Sequence, residues 1–218
     1  MSFRVLEVPA SGMPLLSRRL AQEEARTWPF ETKTPGDIIP AVVNSLASFG
    51  AFCDVACGLP ALLGIENISV SRINHSKDRF REDQQIFTVI RALEPETMRI
   101  HLSHRELLGT WAENAAMFSP GQTVTGIVRS VKDYGAFIEM TPNLSGLAEP
   151  NFDLHPGDCV SVYIKAIHPD SLKIKLVALR KLDPATLPAR PLKYFRTAGH
   201  LNHWRYGTEH FAKTVTSF

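Results

Sequence analysis

The chain has 218 residues, 44% of them hydrophobic and 21% charged, with a formal net charge of +2. That composition fits an ordinary globular protein of one or two domains, and no apolar run of about 18 residues is present to form a membrane-spanning helix. Three cysteines, Cys53, Cys57 and Cys159, are too few and too irregularly spaced for a disulfide scaffold.

The opening segment, MSFRVLEVPASGMPLL, lacks a charged stretch followed by an apolar one. No secretory leader is expected, and the reading places the chain in the cytoplasm. PLLSRRLAQEEARTW is predicted as one helix ended by Pro29. Residues 1–34 form an N-terminal extension around it.

From Gly36 the pattern changes. Ile39, Ala41 and Val43 are apolar at alternate positions, the period of a half-buried strand. A second strand follows the phrase SLASFGAFCDV at 45–55, and a third runs near Leu59–Leu63. GIENISVSRINHSKDRFREDQ leaves room for a helical turn, then QIFTVIRAL (85–93) and MRIHLSH (98–104) supply strands four and five. The connector GTWAENAAMFSPG pairs Thr110 with Glu113 at capping-box spacing. A short helix is therefore expected from Trp111 to about Phe118, with both rings buried between two domains.

The second domain is expected because the chain repeats with a period of 85. Gly36 meets Gly121, Val43 meets Val128, and Phe49-Gly-Ala-Phe52 meets Tyr134-Gly-Ala-Phe137, without a gap through Leu59 and Leu144. Val124, Gly126 and Val128 reproduce the alternation, and CVSVYIKAI (159–167) and LKIKLVA (172–178) repeat strands four and five. Between strands three and four this copy has only EPNFDLHPGD. Five short strands per unit predict a small antiparallel barrel that closes on itself. The boundaries are 35–108 for the first barrel, 109–120 for the helical linker and 121–180 for the second barrel. A basic, aromatic extension, 181–218, follows. The fold class is all-β: two tandem five-stranded OB-fold barrels with short helical N-terminal, linker and C-terminal extensions.

Charge is unevenly placed. Residues 35–113 hold 7 Lys/Arg against 10 Asp/Glu, and 180–218 hold 7 against 2. Bulk phosphate attraction by the repeats does not explain binding. The aromatic phrase offers another route. Residues three apart on a regular strand face opposite ways, but Gly50 and Gly135 lie inside each phrase. A glycine bulge there resets the phase, so Phe49 and Phe52, and Tyr134 and Phe137, face the same way. Outward rings make a stacking platform for bases; the plainer alternative, that one or both rings of a pair are core, stays open. On strand five, Ile100 and Leu102 point in and Arg99 and His101 out, as do Ile174 and Leu176 against Lys173 and Lys175. Cations beside rings suit a phosphate backbone, although a solvated strand face would look the same.

These residues together, from Gly36 through the aromatic phrase, NISVSRI and RIHLSHREL, resemble the S1 RNA-binding domain family. The Tyr-Gly-Ala-Phe and SGLAEP segments of the second copy resemble it more loosely. The likeness covers about 36–108 and 121–180. It implies an RNA surface at Phe49, Phe52 and Arg99 in the first copy and at Tyr134, Phe137 and Lys173 in the second. Where the family often carries a histidine after strand three, this chain has Gly64 and Glu149. The implied function is non-catalytic binding of single-stranded RNA, mRNA or rRNA, in translation or mRNA handling. The ribosome or another RNA-handling protein is the expected partner, with no membrane and no cofactor. The alternative is a scaffold whose barrels dock a protein. Arg196 and Arg205 are the tail's expected phosphate contacts, in a tail expected to fold back on the second barrel. His200, His203 and His210 lie at a spacing that a metal could use, but such a tail is more often structural or RNA-contacting.

Overall fold

In the computed structural model, residues 3–10, 12–55, 59–149, 153–186, 191–209 and 214–218 are described. Two closed barrels dominate. The first comprises β3 (Ile38–Ala47), β4 (Gly50–Asp54), β5 (Pro60–Gly64), β6 (Gln85–Glu94) and β7 (Arg99–Ser103), in the order β3-β4-β5-β7-β6. The second repeats it with β8 (Thr123–Lys132), β9 (Gly135–Thr141), β10 (Leu144–Ala148), β11 (Cys159–His168) and β12 (Lys173–Leu182). Neighbouring strands are antiparallel except at the closing seams, β5 with β7 and β10 with β12. The alternating aliphatics fill the interiors: Ile39, Ala41, Val43, Ile100 and Leu102 in the first barrel, Val128, Ile138, Ile174 and Leu176 in the second. The predicted all-β tandem of five-stranded barrels is the observed fold.

The extensions depart from the sequence reading. Two short strands, β1 (Arg4–Glu7) and β2 (Leu15–Ser17), pair ahead of the first helix and were not expected. Helix α1 runs Arg18–Thr32, with the Ser17 hydroxyl accepting from Leu20 N–H at 3.2 Å. Pro29 lies inside its last turn rather than ending it. The linker helix α2, Trp111–Ala115, carries the predicted capping box but stops short of Phe118. Trp111 is buried in the second barrel's apolar cluster, against which Phe118 packs.

The tail is the larger correction. It carries a 3-10 turn at Pro184–Thr186 and a two-stranded sheet, β13 (His203–Arg205) with β14 (Val215–Ser217). It does not fold back on the second barrel alone. Leu201 is buried with Ile38, Val89 and Leu107 of the first barrel, while Trp204 and Tyr206 join the second barrel's cluster. Thr216 donates to the buried Glu106 carboxylate at 2.8 Å, and His200 Nδ1 lies 2.9 Å from Asp37. The tail thus stitches both barrels.

The segment between β5 and β6, two 3-10 turns at Ile65–Asn67 and Ser76–Asp78, also bridges. Arg79 donates twice to Glu139 on β9, at 2.7 and 2.6 Å, and Arg129 donates to the same carboxylate at 2.7 Å. Side chains of Arg79 and Glu139 are 5% and 2% exposed. Asn143, fully buried, donates to the Arg105 and Gly109 carbonyls and accepts from Val70 N–H. Polar groups taken from water need such partners; here the Arg79 bonds cross from the first barrel to β9 and the Asn143 bonds from the first barrel or linker to the β9–β10 turn, while the Arg129 bond holds the shared carboxylate from within the second barrel.

A third buried polar group carries a pH signature. His104 is fully buried, with Nδ1 2.8 Å from the Ile68 carbonyl and Nε2 3.1 Å from the Tyr194 hydroxyl. Burial, aided by the Arg79 charge, lowers its pKa from 6.5 to about 4. Below pH 6.5 the unfolded chain takes up a proton that the folded chain refuses, so stability falls with pH through this window. The expected total is about 3 kcal/mol by pH 4. Urea denaturation across that range should show the decline, and His104→Gln should flatten it; a decline of the same size in the variant would assign it to other groups.

Candidate nucleic-acid interface

The ring pairs stand where the hairpins turn. Phe49 lies in the β3–β4 turn and Phe52 on β4; they are 57% and 39% exposed, with ring centroids 6.0 Å apart and edge to face. Tyr134 and Phe137 reproduce this at 6.3 Å, with Tyr134 63% exposed and Phe137 half-buried. The mechanism of the phase change differs from expectation. The ladder bulges sit on the facing strands, between Val43 and Ser45 and between Val128 and Ser130. Gly50 and Gly135 instead adopt positive φ of 154° and 149°, and a Cβ on either would strike the carbonyl of Leu63 or Ala148. Only glycine fits there, so the first ring of each pair is turned in the hairpin and the second stands on the strand.

Strand register extends each pair into a row. Phe52 pairs with Leu62, Leu62 with His101, and His101 with Ala92. Phe137, Leu147, Lys175 and Ala166 form the same row on the second barrel. Outward residues of adjacent strands in register share a face, so His101 and Lys175 stand on the faces of the ring pairs. Arg99 and Lys173 open the same strands and are exposed, as is Lys175. The first barrel's cations are partly offset: His101 Nε2 lies 3.1 Å from Glu94. The Thr97 hydroxyl, then His101 and Arg99, hold the Glu94 carboxyl below its usual range. Lys173 and Lys175 carry no ion pair among the described residues.

Sequence reasoning missed Arg91 and Lys165. Arg91 on β6 is exposed and precedes Ala92, the end of the first row, and Lys165 precedes Ala166 in the second. The signal was available: both are single cations inside otherwise apolar fourth strands, RAL and KAI. The tail residues are not brought to these rows by any described contact. Arg196 is exposed, while Arg205 is half-buried, 3.3 Å from Glu209, with its Nε buried and unpartnered among the described residues. Among the described residues no group of three or more His, Cys, Asp or Glu could hold a metal, and no helix is long and apolar enough to cross a membrane. Cys57 and His210 lie outside the described residues. A cavity of about 530 Å³ at the junction, touching Arg79, Asn114, Phe118 and Leu192, shares no lining residue with either ring pair.

Two closed five-stranded barrels with matching outward ring pairs define a tandem OB-type protein. No protein-family model matches the chain. It is 32% identical over 190 residues to small ribosomal subunit protein bS1 of Leuconostoc lactis, covering 79% of this chain and 44% of that protein. It is 29% identical over 189 residues to bS1 of Rhizobium meliloti, covering 79% and 33%. The solution structure of GSP13 from Bacillus subtilis overlaps 41% of this chain and 62% of that one at 18% identity, with a TM-score of 0.31. Over most of its length the chain is thus similar to bS1. It spans between a third and just under half of the length of these two curated relatives.

Proposed function

We propose that the chain is a non-catalytic RNA-binding protein that holds single-stranded RNA across the aromatic and basic rows of its barrels, in translation or mRNA handling. The observation that carries the reading is the duplication of the ring pair. Each copy turns a pair of large rings outward beside cations, at a hairpin where the close approach of the neighbouring strand admits only glycine. Rings that stack on bases tolerate any sequence, and the cationic rows suit the backbone. The similarity to bS1, a small-subunit ribosomal protein by name, supports a setting in translation, with the ribosome as partner. The test is fluorescence anisotropy with short single-stranded RNA, duplex RNA and DNA at two salt concentrations. Single-stranded RNA should bind best, with a shallow salt dependence reflecting few phosphate contacts; equal binding of duplex would count against the stacking rows.

A protein-docking role is favoured by one observation. The β1–β2 hairpin exposes Phe3, Val5, Leu6, Val8, Met13, Leu15 and Leu16, an apolar surface of the kind that marks association.

Glu149 sets the two barrels apart. It is exposed one residue beyond β10, whose last pairing is Ala148 with Ala136, beside the Tyr134–Phe137 phrase. A carboxylate there repels phosphate. Glu149→His in a Phe49→Ala/Phe52→Ala background is expected to strengthen RNA binding several-fold. No gain would mean that this end of the second barrel does not meet RNA.

A further inference from the structure

The outward row of the first barrel ends in a pocket of about 190 Å³ whose lining includes Leu62, Gly64, Glu66, Asn67, Arg91 and His101. Leu62 is the cross-strand neighbour of Phe52, so the pocket adjoins the ring pair. Nothing in the stacking platform distinguishes one base from another, but this pocket sets a carboxylate, an amide and a guanidinium among Leu62, Ala92 and Leu102. We propose that it takes a guanine base of the bound strand, with Glu66 reading the base edge; the proposal rests on the RNA-binding reading above.

The carboxylate is positioned by its neighbours. Asn67, 5% exposed, donates from Nδ2 to Glu66 Oε1 at 3.1 Å and accepts at Oδ1 from Arg91 Nη1 at 2.7 Å. One buried amide therefore fixes an acceptor-only group and a guanidinium relative to each other. Gly64 makes the arrangement possible. A Cβ there would stand 2.7 Å from Glu66 Oε1 and 3.0 Å from Oε2, so the carboxylate lies where a side chain would begin. Glu66 is exposed, and no described group donates to its Oε2.

An ionised carboxylate accepts only, and a guanidinium donates only. Among the four bases, guanine alone offers two adjacent donors, N1–H and the N2 amino group, to a carboxylate. Its O6 and N7 are the acceptors that arginine pairs with. Adenine and cytosine set a ring-nitrogen lone pair beside their amino group, and uracil flanks its single N3–H with two carbonyls. Each of those would bring an acceptor against the Glu66 oxygens. Arg91, which lines the same pocket, supplies positive charge that offsets the repulsion between Glu66 and the strand's phosphates.

The test uses the full chain and short uridine-rich single strands carrying at one central position guanosine, inosine, adenosine, cytidine or uridine. Inosine keeps N1–H and O6 but lacks the N2 amino group. The guanosine strand should bind on the order of tenfold tighter than the adenosine, cytidine and uridine strands, and inosine should lose most of that gain. Glu66→Gln, and Gly64→Ala, whose methyl group displaces the carboxylate, should each bring guanosine down to the inosine level while the proteins still melt cooperatively. Equal affinity for all five strands overturns the guanine pocket and leaves the RNA reading standing. A guanosine preference that survives in both variants overturns the role of Glu66. Failure to bind any strand overturns the RNA reading and the pocket with it.

Discussion

Phe49→Ala combined with Phe52→Ala is expected to lower affinity for single-stranded RNA by about 2–6 kcal/mol, at 1–3 kcal/mol for each stacked base. That is a loss of at least tenfold. The fold should persist, because the rings are 57% and 39% exposed and the barrel interior is filled by Val43, Ile90, Ile100 and Leu102. Anisotropy titrations beside thermal melts separate the two effects. A variant that binds poorly because it has lost its cooperative transition would return the rings to the core and remove them from the interface.

Glu139→Ala is expected to cost about 3–5 kcal/mol of stability, the usual result of stripping one partner from a buried ion pair. Arg79, 5% exposed, is left with the Ser69 hydroxyl alone as acceptor for its buried charge, and Arg129 loses its 2.7 Å bond. The carboxylate bridges an element of the first barrel to a strand of the second. The loss should therefore appear in chemical denaturation as earlier unfolding, with the two barrels no longer melting together. Glu139→Gln retains an acceptor and should cost less. A change below about 1 kcal/mol in the alanine variant would mean that the junction does not depend on this carboxylate.

The barrels were legible because their signal is local and doubled. Alternation at Ile39, Ala41 and Val43 and the phrase around Gly50 each recur 85 residues on, and a strand's period reports its burial directly. The outward rings were legible for the same reason, although the device that turns them was misplaced: a bulge leaves no residue signature on the facing strand, whereas Gly50 is visible. Glu139 was not legible. It sits between Ile138 and Met140 on an outward-facing position, where a carboxylate reads as solvated, and its cover comes from Arg79, 60 residues away. The tail failed similarly. Its rings announced burial, but Leu201 and Trp204 are three residues apart, and one packs on a flank of the first barrel while the other joins the second barrel's core, which no periodicity encodes. The hairpin β1–β2 was missed because RVLE and LLS are short and show no alternation of burial to read.

The tail's position in the chain has a consequence for how the protein is made. Asp37 meets its partner His200 across 163 residues. At roughly 5–20 residues per second of synthesis, the first barrel, whose last strand ends at Ser103, exists for about five to twenty seconds before that partner is polymerised. Throughout that interval the seam that Leu201 closes, formed by Ile38, Val89 and Leu107, is open to water. A ribosome that stalls inside the second barrel would therefore display a nascent first barrel with a sticky flank, a substrate for holding chaperones and for quality-control proteases.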